Sequence, residues 1–198
     1  MAAFSDDIAY VNHDIDDGLR AGLFTIADLV EAPLAGEQAR AVETRWPDLE
    51  SSRFIGELVR TLIGSLVDDL LAETRRRILK AGSKSADAVR RHQGPLVGFS
   101  SSMETQVKAL KAFLFARMYR HPRVMGTMDR AKDVVAELFE AFSRAPSLLS
   151  EDWAARCGAP GDPVTGGVVR DYIAGMTDNF ALSEYNRIFH KEIALAAP

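Results

Sequence analysis

The sequence predicts an all-α protein, and three observations carry that prediction. Apolar residues recur at spacings of three and four in several long segments, the period of a helix face. Those segments are bounded by Ser, Thr, Gly and Pro at positions that start or stop helices. No alternation of apolar and polar residues, and no turn-separated pair of such runs, suggests a sheet.

The first helix is expected from Ser5 to Arg20, with Ile8, Val11, Ile15 and Leu19 on one face. Ser5 suits the N-cap, and Asp6 and Asp7 suit a first turn through the helix dipole. Gly22 is the expected stop. Thr25 then caps a short helix that Pro33 ends, and 36–46 gives another helical piece before Pro47.

Ser51 to Lys80 is the longest periodic run. Phe54, Ile55, Leu58, Leu62, Ile63, Leu66, Leu70 and Leu71 form its apolar stripe, and Gly82 closes it. Its tail carries Arg75, Arg76 and Arg77, which read as a solvated positive end complementing the helix C-terminus, or as an effector-nucleotide or subunit contact. The polar stretch 81–93 suggests a short helix and an exposed loop. Ser101 and Glu104 form a possible capping box for a helix that runs to His121 and stops near Pro122.

A further helix over 123–144 has Val134, Val135, Leu138, Phe139 and Phe142 as core candidates. Residues 145–163, rich in Pro and Gly, form a connector. Two last helices are expected over 164–177 and 180–193. No internal repeat and no linker divides the chain, so one all-helical unit spans residues 1–198.

Composition narrows the function classes. The 198 residues are 47% hydrophobic and 26% charged, ordinary for a globular protein with a substantial core. A net charge of −4 argues against general nucleic-acid binding. No apolar run is long enough to span a membrane, and no signal peptide is apparent after Met1. The single cysteine, Cys157, excludes an intrachain disulfide and fits a cytoplasmic location. It has no Cys or His neighbours at zinc spacing. There is no phosphate-binding Walker loop, no G-x-G-x-x-G after a strand and no G-x-S-x-G elbow.

The stretch Ser5–Arg20, SDDIAYVNHDIDDGLR, holds five aspartates, a tyrosine and a histidine. Asp6, Tyr10, His13 and Asp17 share the face opposite the apolar stripe, and Asp14 lies beside that stripe. An ordinary solvated helix mixes in basic partners at i,i+4, but none appears before Arg20. Such clustered carboxylates suit a hard divalent cation or hydroxyl groups. The plainer reading is an acidic surface helix. In the block Lys108–Val124, KALKAFLFARMYRHPRV, residues Lys108, Lys111, Phe115 and Tyr119 share one helix side. The residues alone describe a core helix with a basic rim, with Arg117 pointing elsewhere as a structural ion-pair partner.

These two blocks, with RDYIAGMTDNFA at Arg170–Ala181, resemble bacterial deoxyguanosinetriphosphate triphosphohydrolase-like proteins of the HD-domain superfamily. SDDIAYVNHDIDDG is similar to a family segment near A-D-[DE]-I-A-Y-x-x-H-D-[IL]-D-D-G. The blocks occur in family order across nearly the whole chain. Asn179 departs from the basic residue expected after Thr177-Asp178, which puts any salt bridge there in doubt. Asp171, Tyr172 and Asp178 read as caps and core packing.

The resemblance implies an HD-domain-type helical bundle. The end of that domain falls at about 1–80, and the family's C-terminal helical region at about 100–198. It also implies a metal site built from a His, a His-Asp pair and a later Asp. Asp6 matches the last of these. The dipeptide His13-Asp14 does not match the pair. The other ligands are expected upstream, so the chain looks like the C-terminal portion, lacking the upstream metal-binding helices and expected to be inactive by itself.

The implied reaction converts a deoxynucleoside triphosphate and water to deoxynucleoside and triphosphate with a divalent metal such as Mg or Mn, in a homo-oligomeric complete protein. Tyr10 and Asp14 match positions that meet the sugar 3′-hydroxyl. Lys111 becomes a phosphate contact, and Tyr119 a wall for base or sugar. The alternative is a non-catalytic helical interaction or regulatory module derived from that scaffold.

Overall fold

A computed structural model describes residues 2–190. Helices account for the regular structure, and no strand occurs among the described residues, as expected of an all-α multi-helix bundle. Contacts group the chain into two compact units, Met1–His121 and Pro122–Pro198, where the sequence suggested one. The boundary falls where Pro122 opens a new helix after the turn at Arg120 and His121.

In the first unit, α1 covers Ala2–Arg20 and buries Ile8, Val11, Ile15 and Gly18. It begins before Ser5, so Ser5 is not its cap and Asp6 and Asp7 lie beyond its first turn. Gly22, at φ +64°, ends the run in the left-handed region that favours glycine. Thr25 caps a 3₁₀ turn, Ile26–Glu31, through a reciprocal pair of bonds with Asp28. Pro33 then opens α2 (Pro33–Arg45) rather than ending the piece before it, because the first helical position has no N–H to satisfy.

The long helix α3 covers Ser51–Ala81, and Gly82 at φ +60° closes it. It packs against α1 and α2 through Phe54, Ile55, Leu58, Leu62, Leu66 and Leu70. Ile63 and Leu71, expected in that core, are 39% and 41% exposed.

A short helix, α4 (Ala86–Arg91), precedes α5 (Ser101–Leu114). The N-cap of α5 is Ser100, not Ser101: its hydroxyl accepts from the Met103 N–H, while its own N–H and hydroxyl donate to Asp69 at 2.8 and 2.7 Å. That carboxylate fixes the start of α5 to α3. Glu73 is the second tie. It accepts from Arg76 and Arg77, and Arg77 also donates to the Phe99 carbonyl at 2.7 Å. Two of the three arginines read as a solvated end are therefore structural.

The second unit begins with α6 (Pro122–Arg144), followed by a 3₁₀ turn at Pro146–Leu148 and α7 (Glu151–Ala154). Helices α8 (Pro163–Ala174) and α9 (Asp178–Phe189) pack on α6. Its core joins Val134, Leu138, Phe142, Leu149, Val169 and Tyr185. Tyr172 stacks edge-on against Phe142, with ring centroids 5.4 Å apart, which bears out its reading as a packing residue. Val135 and Phe139, expected in this core, are 48% and 40% exposed. The last helix was expected to reach Ile193, which lies outside the described residues.

Candidate functional site

The site is built on the first unit, where α1 and α5 pack side by side. Helix α1 presents acids along the edge that its apolar stripe leaves uncovered. Helix α5 buries Val107, Leu110, Phe113 and Leu114, which turns Lys111 outward.

Beyond Leu114 the chain widens into a π turn, Phe115–Tyr119, in which the Arg120 N–H bonds to the Phe115 carbonyl at 3.0 Å. Such turns shift the register of the side chains that follow and recur at functional sites. The Arg120 guanidinium lies over the Phe115 ring, 5.1 Å from its centroid. Arg117 points away and pairs with Glu31, the structural ion pair its place on the helix wheel suggested.

Between these elements lies an open cavity of about 290 Å³, lined by Asp7, Tyr10, Val11, Asp14, Lys111, Leu114, Phe115 and Tyr119. All four residues the sequence nominated for the substrate, Tyr10, Asp14, Lys111 and Tyr119, therefore line one cavity. The Tyr119 hydroxyl donates to Asp14 Oδ2 at 2.7 Å. That bond, with partial burial and the Asp14 charge behind it, pushes the Tyr119 phenol up to about 12. Tyr10 stands at the mouth, 68% exposed. Val11, Leu114 and Phe115 supply an apolar floor.

Asp7, which the sequence suggested only as a first-turn acid, is the residue it missed. Its Oδ1 accepts from Lys111 Nζ at 2.8 Å across 104 residues. Asp6, nominated as a metal ligand, is exposed and is not among the lining residues. Among the described residues no group of three or more His, Cys, Asp or Glu side chains is placed to hold a metal ion. Asp6 does not make a metal site with its neighbours here, because a hard cation needs several oxygen ligands at once.

Chemically the cavity suits a small polyol on an apolar body beside an anion. Asp14 keeps acceptor capacity beyond the Tyr119 bond, Tyr10 and Tyr119 offer ring faces and hydroxyls, and Lys111 offers a positive charge.

Comparison with known proteins agrees with the three sequence blocks. Residues 97–187 match the family profile of the phosphohydrolase-associated domain. A deoxyguanosinetriphosphate triphosphohydrolase-like protein of Parvibaculum lavamentivorans is 51% identical over 189 residues, 96% of this chain and 48% of that protein. Proteins of the same description from Caulobacter vibrioides and Bradyrhizobium sp. are each 45% identical, over 98% and 96% of this chain. The chain spans about half the length of the curated relatives it matches. The resemblance drawn from the sequence blocks is borne out: the chain is similar along nearly its whole length to one half of these proteins.

Proposed function

We propose, for a chain related along nearly its whole length to deoxyguanosinetriphosphate triphosphohydrolase-like proteins, that it is the C-terminal part of a cytoplasmic, metal-dependent dNTP triphosphohydrolase. The overall reaction would break the bond between the α-phosphorus and O5′. Water would supply a hydroxyl to phosphorus and a proton to O5′, giving a deoxynucleoside and intact triphosphate. One observation carries the reading. Four residues nominated from two blocks about a hundred residues apart line a single cavity.

In this reading Asp14 accepts a hydrogen bond from the sugar 3′-hydroxyl. Tyr119 orients that carboxylate through the bond it already makes. Tyr10 closes over the ribose. Lys111 exchanges Asp7 for a phosphate oxygen, a small adjustment for a flexible ammonium. Asp6 would be one ligand of a divalent metal whose other ligands come from outside these 198 residues. That metal would polarise the α-phosphate and the attacking water. The complete protein is read as a homo-oligomer.

The test is triphosphate release from each dNTP with Mn²⁺ or Mg²⁺. The 198-residue chain alone is expected to release none. Substituted for the matching half of the Parvibaculum lavamentivorans relative, it is expected to give an active chimera. In that chimera Asp6→Ala should abolish turnover. Asp14→Asn should cost roughly 1–3 kcal/mol of transition-state stabilisation, with the loss disappearing for a 3′-deoxy substrate. A folded but inert chimera, or one indifferent to both substitutions, would overturn the reading.

A further inference from the structure

On the side of α1 away from α5's cavity, a groove of about 440 Å³ runs between α1 and α3. Its walls are apolar, formed by Ile8, Ile63, Val67, Leu70 and Leu71, with Ile63 and Leu71 substantially exposed. Asn12 also lines it. This residue is only 2% exposed, yet its Oδ1 has no hydrogen-bond partner. The orientation of the amide is settled by its other end, since Nδ2 donates to the Ile8 carbonyl at 2.7 Å. A buried acceptor left unpaired costs about 1–3 kcal/mol. Beside apolar side chains at the surface, it marks a groove shaped for an occupant that supplies a donor.

We propose that this groove is a docking site for an amphipathic helix. That helix places apolar side chains against Ile63, Val67 and Leu71 and one hydrogen-bond donor on Asn12 Oδ1. It comes from the polypeptide that the relatives carry beyond the matched region.

Three features favour that occupant. The relatives are about twice the length of this chain, so as much polypeptide again must pack somewhere. The groove lies between two helices, and the ridges of a third seat in such a channel at ordinary packing distances. Its mixture of an apolar wall with one buried polar atom fits a helix bearing a Ser, Asn or Gln in its stripe. A hydrocarbon ligand would leave Asn12 unpaired. The inference does not depend on the nucleotide assignment, because Asn12, Ile63 and Leu71 do not line that cavity.

The experiment is co-expression of the 198-residue chain with the unmatched half of the Parvibaculum lavamentivorans relative, followed by mass measurement of the purified species. A one-to-one complex is expected. The double substitution Ile63→Glu, Leu71→Glu should abolish it while leaving the helical circular dichroism of the chain intact. Tyr119→Phe, in the nucleotide cavity, and Leu79→Glu, on the exposed end of α3, should leave the complex intact. Asn12→Leu provides an independent readout: it should leave the free chain equally or more heat-stable, because the orphaned acceptor is gone, yet weaken the complex at least tenfold. The proposal is overturned by absence of a complex, by a complex that survives the double glutamate variant, or by a homodimer of this chain that the same substitutions dissolve.

Discussion

Tyr119 and Asp14 meet across 105 residues of sequence, with the phenol donating to the carboxylate at 2.7 Å. Tyr119 holds its proton to about 12, above the 10.0 of a free tyrosine. A group whose pKa is raised on folding contributes its stability fully below the unfolded value and loses it as pH rises through the folded one. The link between α1 and the end of α5 should therefore persist to pH about 10 and fail toward pH about 12. The tyrosinate absorbance of the native protein minus that of Tyr119→Phe should show one late-titrating phenol. Asp14→Asn should bring it back toward the ordinary value. A Tyr119 that titrates normally in the native chain would show that the bond does not form in solution.

The same linkage runs in the opposite direction at Glu73. Hydrogen bonds from Arg76 and then Arg77 hold this carboxylate at about 2, against burial that favours the neutral acid. A depressed carboxyl stabilises the fold above its unfolded value, here 4.5, and that stability is lost as pH falls toward about 2. Thermal midpoints of native protein and Glu73→Gln should differ most at neutral pH and converge in acid. A difference that does not change with pH would assign the effect to packing instead.

Much of this was legible in the sequence, where local chemistry decides. The bounds of α3 follow from its apolar stripe and Gly82, and the 3₁₀ turn from Thr25 and Asp28. The errors arise where distant residues decide. Ser101 looked like the cap of α5, but Asp69 on α3 selects Ser100. Ile63 and Leu71 carry the period of a core face, yet periodicity measures only the width of that face. It does not say what covers it. The cavity's outline was readable in Tyr10, Asp14, Lys111 and Tyr119 through family resemblance. The Asp7–Lys111 pair was not, since no local rule joins residues on separate helices.

That pair has its own consequence. Both side chains are about half exposed, at 46% and 47%, so their ion pair is worth no more than about 1 kcal/mol. Asp7→Asn should leave stability nearly unchanged while freeing the Lys111 ammonium. Inorganic triphosphate, titrated calorimetrically at low ionic strength, should then bind Asp7→Asn more tightly than native protein and Lys111→Met more weakly. Weaker binding to Asp7→Asn would contradict the role given to Lys111.

Two glycines in the first unit should respond in opposite ways to the same substitution. Gly64 lies within α3, exposed, with open space where a Cβ would stand. Alanine there restricts the unfolded chain and should stabilise the protein by about 0.5–1 kcal/mol. Gly18 lies within α1, buried, and a Cβ on it would overlap the Phe24 ring. Phe24 cannot readily give way: it is 4% exposed and packs edge-on against Phe113 of α5, with ring centroids 5.1 Å apart. Overpacking of this kind costs about 1–3 kcal/mol, enough to outweigh the gain in helix propensity. The displacement would pass from Phe24 to Phe113 and so to α5, which carries Lys111 and leads into the turn bearing Tyr119. Gly18→Ala should therefore lower the denaturant midpoint and also return the Tyr119 phenol toward its ordinary pKa, whereas Gly64→Ala should raise the midpoint and leave that phenol untouched. Equal effects of the two substitutions on the phenol would show that the contact between Phe24 and Phe113 does not set the spacing of α1 and α5.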